Sequence, residues 1–443
     1  MTRVRARRCW PLAVGIAASA GLALAGCGSG SGSGSPGGPA ASPSQPAGVT
    51  MAHGVAAREP AVSPRPLGAA DTAFGLSMLG AWCHQTPRAN LVLSPSSLAS
   101  GLGMAYLGAG GATAQAMARV LHLPAPGPRL AAQLQARSAA LLSLDRPGVT
   151  VAGSDQVWTD PGLVTRRSYL NAVATGYRAG VARVPLRSDP GRAAQQIDQA
   201  IAAATRGHIP RLLSAGALHD IGWVLTDALY LNAAWAHPFQ ASATKSREFR
   251  TAAGRAVPVK FMTGGQFRPA RAAGWTAVSL PYRGGRLAMQ ALLPPAGAGG
   301  GCALPSAATM ASLTGALAGG AGGGGAAAGP GMPVALPRVN LSTKAELKDL
   351  LAGLGMGVAF TTAADFRPLS PQACCIGLVE HAATLQVGEK GTVASAATAV
   401  GLMPTAAQAD PSLVFDRPYL LLVTDTSSGE PLFLARVADP STR

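Results

Sequence analysis

The chain has 443 residues, and a hydrophobic content of 48% with only 13% charged residues indicates a protein able to bury a large core. The formal net charge is +16, but beyond the N-terminal segment the arginines are scattered and form no dense basic run. This diffuse distribution argues against a nucleic-acid-binding protein.

The N-terminal segment predicts export. A basic stretch, MTRVRARRCW, precedes an apolar stretch too short to span a membrane, and the sequence LAGC ends at Cys27. This order is typical of a secretory signal, and a small-residue box ending in cysteine is similar to the lipobox of bacterial lipoproteins. We therefore expect residues 1–26 to be a signal peptide and the thiol of Cys27 to carry a lipid that anchors the protein on the outer surface of the cell membrane. The alternative is a secreted protein with an unmodified Cys27.

The segment 27–66 is rich in Gly, Ser and Pro. Such a segment cannot bury enough apolar area to offset its chain entropy, so the composition predicts a flexible tether. The folded domain is then expected over residues 67–443.

In chain order, the first predicted element is a helix that begins near residue 71, with Asp71 as a candidate N-cap. Residues 90–123 predict a short strand, a turn at Ser94-Pro95 and a helix rich in small residues. Residues 193–213 predict a helix that ends at Gly207.

The apolar run 223–235 predicts a strand, and residues 276–294 predict two strands around a turn. Residues 296–330 are almost all Gly and Ala, which predicts a low-complexity surface loop. Further on, residues 343–355 predict an amphipathic helix and residues 376–389 a long strand. Because strands and helices do not alternate as βαβ units, the pattern indicates an α+β fold with mostly antiparallel sheets.

Motifs for enzyme chemistry and metal binding are absent from the sequence. Cys9 leaves with the signal peptide and Cys27 carries the lipid, so four cysteines remain, none in a C-x-x-C motif, and no metal or other cofactor is predicted. Their pairing is not decidable from the sequence: Cys83, Cys302, Cys374 and Cys375. Ser94, Asp227 and His381 could be assembled into a catalytic triad, but a chain of this size offers many such triples. We therefore expect a protein that is not an enzyme.

The stretch EKGTVASAATAVGLMPTAAQ, residues 389–408, has no charge after Lys390 and consists mostly of small side chains. Local rules allow an Ala-rich helix capped by Thr392, a flexible linker, or a strand small enough to enter a crowded sheet. These rules alone do not choose among the three.

Six segments taken together resemble the serpins, over roughly residues 66–439. They are NLVLSPSSLASGLGMAYLGAGGATAQAMARVL, VLTDALYLNAAWAHPFQASATKSREF, VSLPYRGGRLAMQALLP, VALPRVNLSTKAELKDLLAGLGMGVAFTTAADFRPLS, HAATLQVGEKGTVASAATA and FDRPYLLLVTDTSSGEPLFLARVADP. Each block is moderately specific, and six in the same order are very specific. The resemblance implies the serpin fold: a large central sheet, further sheets and surrounding helices, with an exposed reactive-centre loop, here residues 389–412.

In serpins this loop is a bait for a protease, held outside a metastable fold, and after cleavage it inserts into the central sheet and traps the acyl-enzyme. An inserting strand must alternate faces and bring no charge into the sheet, and this stretch satisfies both requirements. Gly391 would supply the pivot. The residues that the resemblance assigns to the hinge are Glu389, Gly391, Thr392, Val393, Ala394, Ser395, Ala396, Ala397 and Thr398.

The usual hinge length places the attacked bond between Thr405 and Ala406, within a window that also includes Leu402, Met403, Pro404 and Ala407. Cleavage after Met403 is disfavoured because Pro404 would follow the bond. No Arg or Lys lies between 391 and 416, so the target is expected to be an elastase-like or subtilisin-like serine protease, or a cysteine protease. The protein is expected to be a monomer.

The resemblance also implies a polar cluster that controls opening of the sheet, formed by Ser94, Ser97, Asp227 and His381, and a tryptophan, Trp235, at the upper end of the sheet. The family usually has Asn where this chain has Asp227. An Asp there would form a buried ion pair with His381 or have a raised pKa, and we hypothesise that the cluster makes loop insertion depend on pH. Two other functions remain open: a non-inhibitory serpin cleaved as a plain substrate, and a surface lipoprotein that binds a small solute.

Overall fold

The computed structural model describes residues 46–213, 216–218, 222–298, 301–319, 331–392 and 413–442. Its helices are Arg65–Gln85 (α1), Pro95–Tyr106 (α2), Gly111–Leu121 (α3), Pro128–Leu142 (α4), Arg167–Tyr177 (α5), Pro190–Ala204 (α6), Ala307–Gly319 (α7) and Lys348–Leu351 (α8). A π-helical turn and a 3₁₀ turn continue α8 to Phe360.

The strands form three sheets. They are Thr50–Ala52 (β1), Leu91–Leu93 (β2), Val149–Thr159 (β3), Val181–Arg183 (β4), Trp223–Ala234 (β5), Lys245–Arg250 (β6), Ala256–Phe267 (β7), Ala270–Ala272 (β8), Trp275–Pro281 (β9), Leu287–Leu293 (β10), Met332–Pro337 (β11), Val339–Glu346 (β12), Val379–Gly388 (β13), Gly391–Thr392 (β14), Leu413–Val414 (β15), Tyr419–Asp425 (β16) and Pro431–Val437 (β17).

The central sheet has the order β1-β4-β3-β5-β14-β13-β12. The second sheet has the order β2-β17-β16-β10-β9-β8, and the third the order β15-β11-β7-β6. Most pairings are antiparallel, and the central sheet contains the parallel pairs β3–β4 and β5–β13. The predicted α+β fold with mostly antiparallel sheets is therefore confirmed.

Both faces of the central sheet are covered, which explains why β5 is a nearly continuous apolar run. On the inner face, Leu225 and Val379 belong to the core formed with α1 and α2. On the outer face, Val224 packs in a separate core with Ile197 and Ile201 of α6. This cover on the outer face does not extend to the end of the sheet that holds β14, where Gln386 is exposed and Asn232 and Thr384 are half-buried, so an added strand would have both faces buried only at the level of α6.

The prediction of Asp71 as an N-cap is wrong. Helix α1 begins at Arg65, with a proline in its first turn, and Asp71 lies inside the helix with no exposed surface. Its Oδ2 accepts a hydrogen bond from Arg137 Nη1 of α4 at 2.7 Å. An acidic residue before an apolar run is typical of an N-cap. Here the acidic residue is explained by its buried pairing with Arg137, which is far away in the sequence.

The tether prediction for residues 27–66 is wrong in its last part. Strand β1 pairs antiparallel with β4 at the edge of the central sheet, and the N–H of Val55 donates to Asn171 Oδ1 at 2.8 Å. Composition predicted no structure there because these residues do not supply a core of their own. The segment is ordered instead by hydrogen bonds between its backbone and the folded domain. Among the described residues, no helix is both long and apolar enough to cross a membrane.

Two further expectations need correction. The Gly/Ala-rich region 296–330 contains helix α7, because Met310, Leu313 and Leu317 recur at helical spacing and are buried. A disulfide joins Cys302, just before α7, to Cys83 of α1. The helix expected over 343–355 starts late, since β12 continues to Glu346 in register with β13.

Candidate functional site

The start of the 389–412 segment lies inside the central sheet, between two strands that pair with each other further down. Strands β5 and β13 pair in parallel from Leu225 opposite Val379 to Leu229 opposite Ala383. Beyond that point β14 lies between them, with Thr392 opposite Ala233 of β5 and Val387 of β13. The sheet is therefore already open at one end. The expectation that the whole hinge lies outside the fold is wrong for these two residues.

Trp235 and Tyr282 form the wall against which β14 rests. Trp235 lies at the upper end of β5, as the resemblance implied, and its Nε1 donates to the carbonyl oxygen of Gly388 at 2.9 Å. The indole stacks on the Tyr282 ring with centroids 4.4 Å apart. The Tyr282 hydroxyl is 2.5 Å from Thr392 Oγ1, and both groups are buried. Tyr282 follows β9 within the LPYRGG turn, and no sequence signal distinguished it from an ordinary turn residue.

Glu389 anchors the turn that connects β13 to β14. Its Oε1 accepts hydrogen bonds from Thr244 Oγ1 at 2.6 Å and Arg338 Nε at 2.8 Å. Burial raises the pKa of this carboxyl, but the hydrogen bonds from Arg338 and Thr244 outweigh burial and leave its pKa below the ordinary value. Glu389 is therefore held ionised at neutral pH, and the hinge starts from a fixed point.

Gly391 is required by space and by backbone conformation. Its φ is +150°, and a Cβ atom there would lie 2.1 Å from the carbonyl oxygen of Ala233. Real Cβ atoms do not approach a carbonyl oxygen this closely, so a side chain at 391 would push β14 away from β5.

We expect Gly391→Ala to displace β14 and to lower the apparent Tm, since steric strain of this kind costs roughly 1–3 kcal/mol. Hydrogen exchange of the peptide that covers 388–392 measures the loss of protection. The matched control is Gly388→Ala, because a Cβ added at Gly388 meets no atom within 4 Å. Equal protection in both variants would contradict the prediction.

The four residues of the predicted polar cluster lie together at the level where β5 and β13 pair. His381 Nδ1 is 2.5 Å from Asp227 Oδ1, and His381 Nε2 accepts a hydrogen bond from the backbone N–H of Ser94 at 3.3 Å. The Ser94 hydroxyl accepts the N–H of Ser97 as the N-cap of α2. Because Nε2 acts as an acceptor, the geometry favours a neutral imidazole that donates its Nδ1 proton to Asp227. This is a hydrogen-bonded pair, and the alternative of a charged ion pair does not account for the Ser94 contact.

A second carboxyl, Asp155 of β3, completes this cluster and was not identified from the sequence. It lies directly opposite Asp227 across the β3–β5 pair, and its Oδ1 accepts a hydrogen bond from Ser97 Oγ at 2.5 Å. Burial and the charge of Asp227 raise the pKa of Asp155 to about 8. A polar residue in a strand gives no sign of the partner opposite, so only the pairing register brings the two acids together.

Next to this cluster, Arg137 is fully buried between Asp71 and Glu430. Burial raises the pKa of Asp71, and burial together with the Asp71 charge raises the pKa of Glu430 well above the ordinary value. The Arg137 guanidinium is therefore shared by the carboxyls of Asp71 and Glu430, and we expect Glu430 to be the protonated one.

We expect the protein to lose stability as the pH rises through about 8, because the raised pKa of Asp155 favours the fold at low pH and this contribution disappears when Asp155 ionises beside Asp227. The loss is about 1.4 kcal/mol for each pH unit between the unfolded and the folded pKa, and it ends once Asp155 is ionised in the folded state as well. Besides Asp227, the titratable groups that interact electrostatically with Asp155 are Arg137 and Tyr177. Apparent Tm measured from pH 6 to 9 should fall in the wild type up to about pH 8 and then level off, and it should stay level in Asp155→Asn. Asp416→Asn, at a half-exposed carboxylate, serves as the control and should follow the wild type.

Several predicted site residues lie outside the described residues. They are Val393, Ala394, Ser395, Ala396, Ala397 and Thr398 of the hinge, the window Leu402, Met403, Pro404, Thr405, Ala406 and Ala407, and Cys27. Their roles remain predictions. The described part of the site therefore consists of the start of the hinge, up to Thr392, and the polar cluster that includes Asp227 and His381.

Comparison with known families identifies the fold to which this site belongs. The family described as serpin (serine protease inhibitor) matches residues 69–440. The chain belongs to the serpin family.

Two relatives illustrate the similarity. An uncharacterised serpin-like protein of Thermococcus kodakarensis is 30% identical over 360 residues, covering 79% of this chain and 81% of the relative. Bovine leukocyte elastase inhibitor is 27% identical over 379 residues, covering 84% of this chain and 99% of the relative. The similarity therefore covers about four fifths of this chain and at least 81% of each relative.

Solved structures support the same fold. Uncleaved ovalbumin aligns with a TM-score of 0.71 at 20% identity, covering 84% of this chain and all of the ovalbumin chain. Protease nexin-1, solved with heparin, aligns with a TM-score of 0.69 at 23% identity and covers 85% of this chain. At this level of identity the likeness concerns the fold alone.

Proposed function

We propose that this serpin inhibits a serine protease by a suicide-substrate mechanism, in which the cleaved loop inserts between β5 and β13 and traps the acyl-enzyme. The observation that carries the proposal is the position of Gly391 and Thr392, which already form the first two positions of an inserted strand. Serine protease inhibition is the activity by which the family is described. In the proposed mechanism, the residues after Thr392 extend β14 between β5 and β13.

Continuing the observed register gives each later hinge residue a position. Thr392 lies opposite Ala233 and Val387, so Ala396 would lie opposite Leu229 and Ala383, and Thr398 opposite Asp227 and His381. Residues with even numbers would face the inner core and residues with odd numbers the outer face, which is covered by the core that includes α6 only from the level of Ala228 and Ala382 onward. All hinge side chains from 392 to 398 are small and uncharged, so neither face would receive a buried charge.

Insertion must separate the parallel part of β5 and β13. Adjacent strands lie about 4.8 Å apart, and a strand placed between them doubles this separation to about 9.6 Å. The hydrogen bond between His381 and Asp227 joins the two strands at this level and has to break. In this proposal the polar cluster therefore resists opening of the sheet, and the pH dependence that comes from Asp155 extends to the rate of insertion.

For the target we propose a protease that accepts small residues, with the attacked bond between Thr405 and Ala406 or elsewhere within 402–407. No basic residue lies between 391 and 416, which argues against a trypsin-like enzyme. The name of the bovine relative, leukocyte elastase inhibitor, supports an elastase-like target; a subtilisin-like protease and a cysteine protease are the alternatives.

The proposal extends to location. A protein exported by the segment 1–26, and either anchored through a lipid on Cys27 or secreted, would meet proteases outside the cell as a monomer. Incorporation of labelled fatty acid into the wild type but not into Cys27→Ser would support the anchor, and incorporation into neither would favour the secreted form.

The test is to mix the chain from residue 28 onward with elastase-like and subtilisin-like proteases and to separate the products on denaturing gels. The expected result is a covalent complex that survives denaturant, together with a C-terminal fragment whose first residue lies between 403 and 408. Cleavage in this window without any complex would overturn inhibition and identify a non-inhibitory serpin.

A further inference from the structure

Two thiols on adjacent residues lie close together on the surface. Cys374 and Cys375 are both free, and their sulfur atoms are 3.0 Å apart. The other two cysteines of the described residues, Cys83 and Cys302, are joined to each other. Cys374 and Cys375 therefore have each other as their nearest redox partner.

The two thiols differ in their surroundings. Cys374 is exposed, whereas Cys375 is partly buried and lines an apolar cavity with Trp223, Leu225 and Ile376. Burial and the adjacent Cys374 raise the pKa of Cys375 to about 11. An external reagent therefore reaches Cys374 first, and Cys375 is placed to react second.

The position of the pair links it to the central sheet. Cys375 precedes the first residue of β13, Val379, by a short segment, and the backbone N–H of the next residue, Ile376, donates to the carbonyl oxygen of Ala359 at 3.0 Å. The pair therefore lies close to one end of β13 and at the cavity beneath β5.

We propose that Cys374 and Cys375 form a redox site that reacts with a small-molecule disulfide of the glutathione type and closes to a disulfide between adjacent residues. The Cys374 thiolate attacks one sulfur of the reagent, forming a mixed disulfide and releasing the first thiol. Cys375 then loses its proton and attacks the Cys374 sulfur, releasing the second thiol. The protein loses two hydrogens and the reagent is reduced to two thiols.

Closing this bond changes the wall of the cavity. The sulfur atoms must approach from 3.0 Å to about 2.05 Å, which draws the Cys375 sulfur away from the cavity wall formed by Trp223 and Ile376. The segment before β13 moves with it. This inference goes beyond protease inhibition and does not depend on it.

The experiment is to reduce the folded chain from residue 28 onward without denaturant, so that the bond of the fully buried Cys83 to Cys302 stays closed, to treat it with oxidised glutathione, and to weigh it by intact mass spectrometry with Cys374→Ser and Cys375→Ser in parallel. The wild type should lose two hydrogens and keep no glutathione, while Cys375→Ser should retain one glutathione on Cys374. Phenylarsine oxide, which bridges neighbouring thiols, should bind the reduced wild type one to one and neither variant. Wild-type protein that retains glutathione, or arsenical binding that persists in either variant, would overturn the proposal.

The proposed effect of disulfide formation on β13 is tested by a separate measurement. The apparent Tm of the wild type should shift by about 2 °C or more between the reduced and the oxidised form, and Cys374→Ser should show no such shift. An unchanged wild-type Tm after complete closure would contradict the effect on β13.

Discussion

Cleavage of the loop between residues 402 and 407 is expected to raise the apparent Tm of the protein by roughly 20 °C or more. About ten residues after Thr392 would gain hydrogen bonds along both edges, each worth about 1 kcal/mol net, and would bury side chains on both faces. After the cost of ordering the backbone, a gain on the order of 10 kcal/mol remains, which corresponds to a shift of this size in a domain of this length.

Differential scanning calorimetry before and after limited proteolysis measures the shift, provided that both fragments stay associated. A fall in the apparent Tm after cleavage, or dissociation of the C-terminal fragment, would contradict insertion. It would also leave the position of β14 without a role in the mechanism.

Replacing Ala396 by arginine is expected to abolish the covalent complex and to turn the protein into a substrate. If the register of Gly391 and Thr392 continued, residue 396 would lie opposite Leu229 and Ala383, which are buried. A guanidinium there would have no partner, and an uncompensated buried charge costs roughly 3–5 kcal/mol. Insertion would therefore stop short of this position, and hydrolysis of the acyl-enzyme would release an active protease.

The matched control is Ala396→Ser, which adds a small polar group and should still form the complex. The stoichiometry of inhibition, measured as moles of inhibitor needed per mole of protease, distinguishes the two variants. The cleaved Ala396→Arg variant should also lack the increase in apparent Tm. Complex formation by Ala396→Arg at the wild-type stoichiometry would show that the register proposed here is wrong.

The elements that flank the site could be predicted from the sequence because their signals are local. Strand β5 is a long apolar run, and the β9–β10 hairpin has a glycine turn between two such runs. The association of Ser94, Ser97, Asp227 and His381 came from the family resemblance, and the structure brings these four side chains together.

The remaining features depend on pairings between distant parts of the chain. Asp155 lies opposite Asp227 only because β3 and β5 pair in one particular register. Asp71 is buried because Arg137 comes from another helix, and β1 is ordered by pairing with β4. Helix α7 was missed for a different reason, since composition concealed the spacing of three large apolar residues among Ala and Gly.

The two inserted residues also bear on the speed of trapping. Forming the first contacts of a new strand is the slow, entropically costly nucleation step, whereas each later residue adds to an existing template. In the proposed mechanism, Gly391 and Thr392, which already pair with β5 and β13, would supply that nucleus before any protease arrives. Insertion after cleavage would then extend a strand that has already started. It would therefore compete more effectively with hydrolysis of the acyl-enzyme by water.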